Sequence, residues 1–373
     1  LGQGFANGVG MASAERWLET VGSETHWLRS LTPPSEVESG ACLRTFETKA
    51  FLWSLAVTPD GRRALSAASN TLDLWDVETG LCLRTFSDRP ETLDDRDWYD
   101  SSSSVVALFP DGRHALSAKA HNIMLWDLES GQCLRTYQSR KDVVQSLALS
   151  SDGTHVLVAG GVSSSSDTLS NANSPEAREP LFDKTLRLLD LESASYVYVL
   201  EGHSDAVTAV ALSHDGSRAL SGSLDQTLRL WNLRNGRCLQ TLAGHAQAIS
   251  AVKFLPDGRR ALSASIDGTL RLWDLKSGQC QCTLEGHDQF PGAIAVDPDG
   301  RHGLSGSYDR LRLWDLDTGQ CLRTWQGHKC QISVVAFLPD GRRALSGSVD
   351  GVLKLWDLDW DGGPGPPDRP PQA

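Results

Sequence analysis

Histidine, serine and aspartate recur together four times in this chain at the same two spacings. In the first set, Ser221 and Asp225 follow His203. A carboxylate that orients an imidazole beside a hydroxyl is the arrangement with which Ser-His-Asp hydrolases activate a nucleophile. An active site is normally unique, however, so four near-identical copies favour a structural role. No Walker loop, His-Glu-x-x-His or Gly-x-Ser-x-Gly motif occurs in the sequence, and we therefore expect no enzyme.

Each set belongs to one copy of a longer repeat of roughly 40–45 residues. The clearest copy begins at Gly202-His203, continues through Asp215-Gly216 and ends at Trp231-Asn232. Seven copies fill residues 42–358, and the third ends in the variant Leu189-Asp190. Trp-Asp pairs end the other five, at 75–76, 126–127, 273–274, 314–315 and 356–357.

The repeat predicts three strands, a, b and c, followed by a fourth strand, d. In the clearest copy these are residues 206–212, 217–223, 227–233 and 238–242. Strand a is apolar at nearly every position, which indicates a strand that is covered on both faces. An Asp-Gly turn joins a to b seven times, from Asp60-Gly61 to Asp340-Gly341. Glycine suits such a hairpin turn because it tolerates a positive φ.

A repeat of this length with Gly-His and Trp-Asp resembles the WD-repeat β-propeller family. The resemblance covers residues 41–358 and implies an all-β fold, a seven-bladed propeller of four-stranded antiparallel blades. The first d strand, 41–46, precedes every a-b-c set, and the last c strand ends at Leu358 with no d strand after it. We therefore predict that the N-terminal strand pairs into the last blade. This pairing would close the ring and remove an open strand edge.

In this family a His, a strand-b Ser, a turn Asp and a strand-c Trp form a hydrogen-bonded tetrad within a blade. The resemblance gives that role to His203, Ser221, Asp225 and Trp231, to His245, Ser263, Asp267 and Trp273, to His287, Ser305, Asp309 and Trp314, and to His328, Ser346, Asp350 and Trp356. The first three blades depart from the pattern, because Thr48, Tyr99 and Arg140 occupy the His slot and Leu189 replaces Trp in the third blade. Half of the ring therefore matches the family closely.

Two insertions fall in the less regular half. Residues 87–100 are acidic and contain Trp98 and Tyr99, and residues 160–182 are rich in Ser, Asn and Pro. In the family, d–a and b–c connections share one rim, the top face, and loops on a rigid scaffold often carry binding function. Neutral excursions remain an alternative for both insertions, because long loops cost little. The family's contact positions and these insertions predict a partner-binding set of Phe51, Trp53, Trp98, Tyr99, Val143, Phe182, Leu224, Ile266, Phe290, Tyr308 and Val349.

The function that the resemblance implies is a non-catalytic scaffold or sensor that binds a protein or peptide on the top face. The near-identity of successive repeats resembles bacterial WD-repeat proteins, in which such rings often follow a signalling domain. The alternative is a hydrolase-type, small-ligand or sugar-binding propeller that uses the mouth of the central channel. Trp231-Asn-Leu-Arg234 approximates the Trp-Asp-x-Arg box of ubiquitin-ligase receptors, but Asn replaces Asp and no second blade supports it.

Composition narrows the choice of partner and compartment. The formal net charge of −12 disfavours binding to nucleic acid or to an anionic membrane. No apolar run is long enough for a membrane span, and no secretory leader opens the chain. We expect a monomeric cytoplasmic propeller with a basic protein or peptide partner. Residues 1–40 are expected to be a linker or short helical tail, and 359–373 a disordered Gly/Pro-rich tail.

The cysteines favour neither a disulfide framework nor a metal site. Six of the eight occupy the same slot at the start of strand d in separate blades, namely Cys42, Cys82, Cys133, Cys238, Cys280 and Cys321. Equivalent slots of separate blades lie beyond the reach of an S–S bond. No Cys-x-x-Cys spacing occurs, so we expect no metal and no cofactor. We interpret these cysteines as small buried hydrophobic residues in a reducing compartment.

Overall fold

The computed structural model describes residues 42–48, 50–68, 71–87, 105–119, 121–138, 143–160, 184–287, 289–308 and 310–358. The expected tails at 1–40 and 359–373 lie outside the described residues. So do both insertions, apart from the residues at their edges.

The described residues form seven four-stranded antiparallel sheets, which confirms the predicted propeller. Blades one to four consist of β2 (Leu52–Val57), β3 (Arg63–Ala68), β4 (Thr71–Asp76) and β5 (Cys82–Ser87); β6 (Val105–Leu108), β7 (His114–Lys119), β8 (Asn122–Asp127) and β9 (Cys133–Gln138); β10 (Val144–Leu149), β11 (His155–Gly160), β12 (Leu186–Asp190) and β13 (Ser195–Leu200); and β14 (Val207–Leu212), β15 (Arg218–Ser223), β16 (Thr227–Asn232) and β17 (Arg237–Ala243). Blades five and six consist of β18 (Ile249–Phe254), β19 (Arg260–Ser265), β20 (Leu270–Asp274) and β21 (Cys280–Leu284), and of β22 (Ala293–Val296), β23 (His302–Gly306), β24 (Arg310–Asp315) and β25 (Cys321–Gln326). Blade seven contains β26 (Ile332–Phe337), β27 (Arg343–Ser348) and β28 (Val352–Asp357), together with β1 (Cys42–Glu47) from the beginning of the chain.

Strand a is innermost and strand d outermost in each blade. The a strands of neighbouring blades pack against one another, and β26 packs against β2, so that seven a strands form a closed inner ring. Strand b is almost wholly buried, as in β19, where only Arg260 is partly exposed. Apolar clusters join adjacent blades; Leu228 and Leu242 of blade four, for example, share a cluster with Ile249 and Trp273 of blade five. Apolar residues of all four strands therefore contribute to the contact surfaces between blades.

The N-terminal strand closes the ring, as the count of strands predicts. β1 pairs antiparallel with β28, and Phe46 lies opposite Leu353. Thr48 extends the closure, because its backbone N–H and its Oγ1 both donate to the Gly351 carbonyl, at 2.8 and 2.7 Å.

Side chains of β1 also hold blade seven to blade one. Phe46 is buried and packs edge-on against Trp75, with ring centroids 5.7 Å apart. Arg44 Nη1 donates to the Thr79 carbonyl at 2.9 Å. Gly80 makes room for this arginine, since a Cβ at Gly80 would lie 2.6 Å from Arg44 Cδ. The strand therefore completes one blade and fixes it to the next.

The expectation that the strand-d cysteines are buried is wrong. Cys42, Cys82, Cys133, Cys238 and Cys321 are exposed, Cys280 is half-buried, and all eight cysteines are free. The reason is that strand d lies at the outer edge of each blade. In β1, for example, only Phe46 is buried. The thiols make weak local bonds instead, such as that from Cys42 Sγ to the Arg44 carbonyl at 3.4 Å.

Candidate functional site

Complete tetrads are present in blades four and five. In blade four, His203 Nδ1 lies 2.8 Å from Asp225 Oδ2, and His203 Nε2 lies 2.7 Å from Ser221 Oγ. Trp231 Nε1 donates to the same Ser221 oxygen at 2.9 Å. An indole can only donate, so the serine hydroxyl proton is free to donate to Nε2, and Nδ1–H then donates to the carboxylate.

Blade five repeats the arrangement. His245 lies 2.9 Å from Asp267 and 2.8 Å from Ser263, and Trp273 donates to Ser263 at 2.8 Å. Thr269 Oγ1 donates to the other oxygen of Asp267 at 2.7 Å. Burial alone would raise the pKa of Asp267, but the hydrogen bonds from Thr269, the Ala246 amide and His245 lower it to about 2. The carboxylate is therefore fixed as an anion that orients the imidazole.

Blade six contains the same bonds among its described members. His287 Nε2 lies 2.6 Å from Ser305 Oγ, and Trp314 Nε1 donates to that oxygen at 2.8 Å. Asp309, which the resemblance assigns to this tetrad, lies outside the described residues.

Blade seven differs from the predicted tetrad. His328 Nε2 lies 2.6 Å from Ser346 Oγ, and Trp356 donates to Ser346 at 2.7 Å. His328 Nδ1, however, is buried and has no hydrogen-bond partner among the described residues. Asp350 instead accepts from the backbone N–H of Val352, at 3.1 Å. Valine stands here where blades four and five have a threonine whose hydroxyl holds the carboxylate, and this missing hydroxyl explains the difference.

The first three blades have fewer of the tetrad hydrogen bonds. Trp75 and Trp126 still donate to Ser66 and Ser117, each at 2.9 Å. In blade three, Val158 and Leu189 occupy the Ser and Trp positions and share one buried apolar cluster. Val158 was a signal in the sequence that serine and tryptophan are lost together, so that neither leaves an unpaired polar atom.

Burial excludes the tetrad serines as nucleophiles in this structure. Ser221 and Ser263 have 0% of their surface exposed, so no substrate carbonyl can approach either hydroxyl. The described residues also contain no group of three or more His, Cys, Asp or Glu side chains that could hold a metal ion. None of them forms a helix long and apolar enough to cross a membrane.

The burial of His328, whose Nδ1 has no partner among the described residues, predicts acid sensitivity. Burial, with a contribution from Lys354, lowers the pKa of His328 to about 3, well below that of an unfolded chain. Between these two pKa values only the unfolded state binds the proton, so stability falls as the pH falls. We expect this residue to cost about 2 kcal/mol between pH 7 and pH 5. Urea unfolding across this range should show a smaller loss for His328→Gln, and Lys354→Met should reduce it in part. An unchanged pH slope in both variants would contradict this assignment.

Backbone hydrogen bonds join the predicted partner-contact positions at one rim. The Leu224 N–H donates to the Ala206 carbonyl at 2.9 Å, and the Ile266 N–H donates to the Ala248 carbonyl at 2.9 Å. In blade seven the Val349 N–H donates to the Gln331 carbonyl at 3.0 Å. Each bond links the b–c turn of a blade to the segment that enters its strand a. We call the rim formed by these connections the top face.

Large apolar side chains are exposed on this face. Tyr308 is 53% exposed, Phe51 39% and Ile266 38%. The Tyr308 carbonyl accepts from the Ile332 N–H at 3.0 Å, which places Tyr308 at the boundary of blades six and seven. The other described members of the predicted set are half-buried, namely Trp53, Val143, Leu224, Phe290 and Val349. Trp98, Tyr99 and Phe182 lie outside the described residues.

Trp53 adds an unpaired donor to the top-face set. Its Nε1 is buried and has no hydrogen-bond partner among the described residues. The equivalent residues of other blades bond to the next blade, as Ser250 Oγ does to the Pro291 carbonyl at 2.7 Å and Ser333 Oγ to the Leu52 carbonyl at 2.6 Å. An acceptor group from a partner could satisfy this indole.

Two other surfaces were not predicted from the sequence. The first is an outer belt of exposed leucines on the d strands, at the outer edge of the ring. It consists of Leu43, Leu83, Leu134, Leu239 and Leu322. Its signal was the repeated segment at the start of strand d, which reads Cys-Leu-Arg-Thr in four blades and Cys-Leu-Gln-Thr at Cys238. In each of these segments the residue four positions after the cysteine is buried. A cleft of about 350 Å³ lies between blades three and four, and His155, Asp215, Tyr198 and Arg234 are among its lining residues. The leucines of the belt lie in strand d of separate blades.

Comparison with known proteins agrees with this geometry. The repeat described as WD domain, G-beta repeat (WD40) matches residues 40–76, 131–169, 194–232, 236–274, 278–315 and 319–357, which together exceed half of the chain. Five of the six matches begin beside a strand d and end in strand c of the next blade, whereas the match at 131–169 ends before β12. Autophagy-related protein 16 of Arabidopsis thaliana is 31% identical over 169 residues, covering 45% of this chain and 27% of that relative. The chain therefore spans about a quarter of the relative's length.

Proposed function

Because the chain belongs to the WD40 family of G-beta repeat proteins, we propose that it is a non-catalytic scaffold or sensor that binds a protein or peptide on its top face. The observation that carries this proposal is the exposure of Tyr308, Phe51 and Ile266 on one rim of a closed ring. Exposed apolar residues that share a face mark an interaction surface better than scattered ones do. Aromatic anchors of this kind supply most of the binding energy of protein interfaces.

The backbone beneath the anchors favours tight binding. The turns that carry Ile266 and Tyr308 are fixed by hydrogen bonds to the Ala248 carbonyl and from the Ile332 N–H, at 2.9 and 3.0 Å. A partner therefore has little backbone disorder to remove when it binds, and less of the interaction energy is lost to ordering. This rigidity supports a platform function over one that requires a moving loop.

A basic partner suits the charge of the chain. The net charge is −12, and the 87–100 segment that is predicted on the top face is rich in Asp. Charge complementarity of this kind chiefly raises the association rate and makes it sensitive to salt. Raising the ionic strength should therefore slow association with such a partner more than it changes dissociation.

The cellular setting is a further part of the proposal. We infer a cytoplasmic monomer of bacterial-type repeats that serves a signalling protein, supported by the near-identical repeats and the free, exposed cysteines. The relative from Arabidopsis thaliana carries the name of an autophagy protein.

The test compares two rims of the same ring. Ile266→Ala combined with Tyr308→Ala should weaken partner binding by about 2 kcal/mol, or roughly 30-fold in Kd. The control is Arg259→Ala with Arg342→Ala. Their carbonyls accept from Leu275 and Leu358, where strand c ends, which places these arginines on the opposite rim.

The partner is first captured with the wild-type protein and then titrated against each variant by calorimetry. A third variant, Leu134→Ser with Leu239→Ser, removes two leucines of the outer belt. If the opposite-rim or the belt variant loses binding while the top-face variant keeps it, the proposed binding surface is wrong.

A further inference from the structure

One lysine interrupts a ring of alanines in the inner wall of the propeller. Strand a of every blade contains a residue that pairs with the leucine at the third position of strand b, as Lys253 pairs with Leu262 in blade five. At the same register the other six blades have Ala56, Ala107, Ala148, Ala211, Ala295 and Ala336. The seven a strands form the inner ring, and Lys253 is the one ionisable residue among the seven described residues of this register.

Lys253 is accessible to solvent at the inner ring of strands. Its side chain is exposed, because strand a borders the axis of the ring. Desolvation at the inner wall lowers the pKa of the Lys253 ammonium group.

No described residue pairs with the ammonium group of Lys253. The carboxylates at the nearby a–b turns already have partners: Asp257 accepts from Arg260 Nε at 2.8 Å, and Asp215 accepts from Ser217 Oγ at 2.7 Å. The lysine therefore has no counter-ion among the described residues.

We propose that the inner ring at Lys253 is a binding site for a small oxyanion, a phosphate or carboxylate compound that enters through the central channel. Charge-assisted hydrogen bonds from an ammonium group to such oxygens are short and strong, and more so where water is partly excluded. The six alanines contribute no competing charge, and their side chains are small.

The site is separate from the top-face function. Lys253 is the fifth of the six residues of β18, so it lies towards the a–b turn and the rim opposite the top face. An oxyanion bound there would not touch Tyr308 or Ile266. Substitution of Lys253 should therefore leave partner binding on the top face unchanged, and the two proposals can fail independently.

The experiment measures binding of inorganic phosphate and of acetate by calorimetry at constant ionic strength. Wild-type protein should bind at least one of these probes, and the one it prefers identifies the class of oxyanion. Lys253→Ala, which completes the alanine ring, should weaken that binding at least tenfold. Lys253→Met, which keeps the length of the side chain without its charge, should do the same. Lys276→Ala, in the c–d turn of the same blade, should bind as the wild type does.

Two results would overturn the site. The first is wild-type protein that binds neither phosphate nor acetate. The second is a Kd within twofold of wild type in Lys253→Ala and Lys253→Met, which would mean that any bound anion lies elsewhere. Thermal melting of both variants shows that they are folded, so that a lost signal reports the missing ammonium group.

Discussion

A chain without residues 1–47 should fail to form a stable ring. The deletion removes β1 from blade seven, exposes the edge of β28 and takes Phe46 from its contact with Trp75. Loss of a buried phenylalanine alone costs about 3–5 kcal/mol, and a whole domain has only about 5–15 kcal/mol of stability. An unpaired edge strand also promotes aggregation. Thermal melting and size-exclusion chromatography should show unfolded or aggregated protein.

Smaller changes separate the contributions of this strand. Deleting residues 1–40 keeps β1 whole and should leave the melting temperature almost unchanged. Phe46→Ala should cost about 3 kcal/mol. Arg44→Ala should cost about 1 kcal/mol, because its bond to Thr79 lies at the surface. Equal melting of the 1–47 and 1–40 deletions would show that the ring does not need its N-terminal strand.

Ser263→Ala should destabilise the fold by about 3 kcal/mol. The Ser263 hydroxyl serves two buried groups, His245 Nε2 at 2.8 Å and Trp273 Nε1 at 2.8 Å. Its removal leaves both without that partner, and a buried polar atom that loses its hydrogen bond costs about 1–3 kcal/mol. The loss should appear as a lower urea midpoint with an unchanged slope.

Ser66→Ala is the matched control for this variant. Ser66 has the same strand position in blade one, but there the hydroxyl accepts from Trp75 alone, at 2.9 Å, with no histidine attached. We expect about half the loss seen with Ser263→Ala. Equal losses in the two variants would mean that the histidine bond contributes nothing, and the tetrad would reduce to a Ser–Trp pair.

Most of the architecture could be predicted from the sequence because one pattern recurs along the chain. Asp-Gly turns, apolar a strands and the terminal Trp recur in register, so the strands assigned in the clearest copy can be assigned in the others. Ring closure followed from counting alone, because the d strand at 41–46 stands before the first a strand and none follows Leu358. These features are local or depend only on order along the chain, and no knowledge of packing is needed to see them.

Packing between and around blades decided the rest. Cys42 and its counterparts recur at the same position near the start of strand d, which is visible in the sequence. That they are exposed follows only from the structure, in which strand d is the outermost strand of each blade. Asp350 stands in the tetrad register, yet it does not bond to His328, because Val352 has no hydroxyl to hold the carboxylate. Lys253 is one residue in an apolar strand until the fold brings seven such strands around an axis. The sequence by itself therefore determined the strands and their order, whereas exposure, hydrogen-bond partners and the isolation of a charge depend on side chains that lie far apart in the chain.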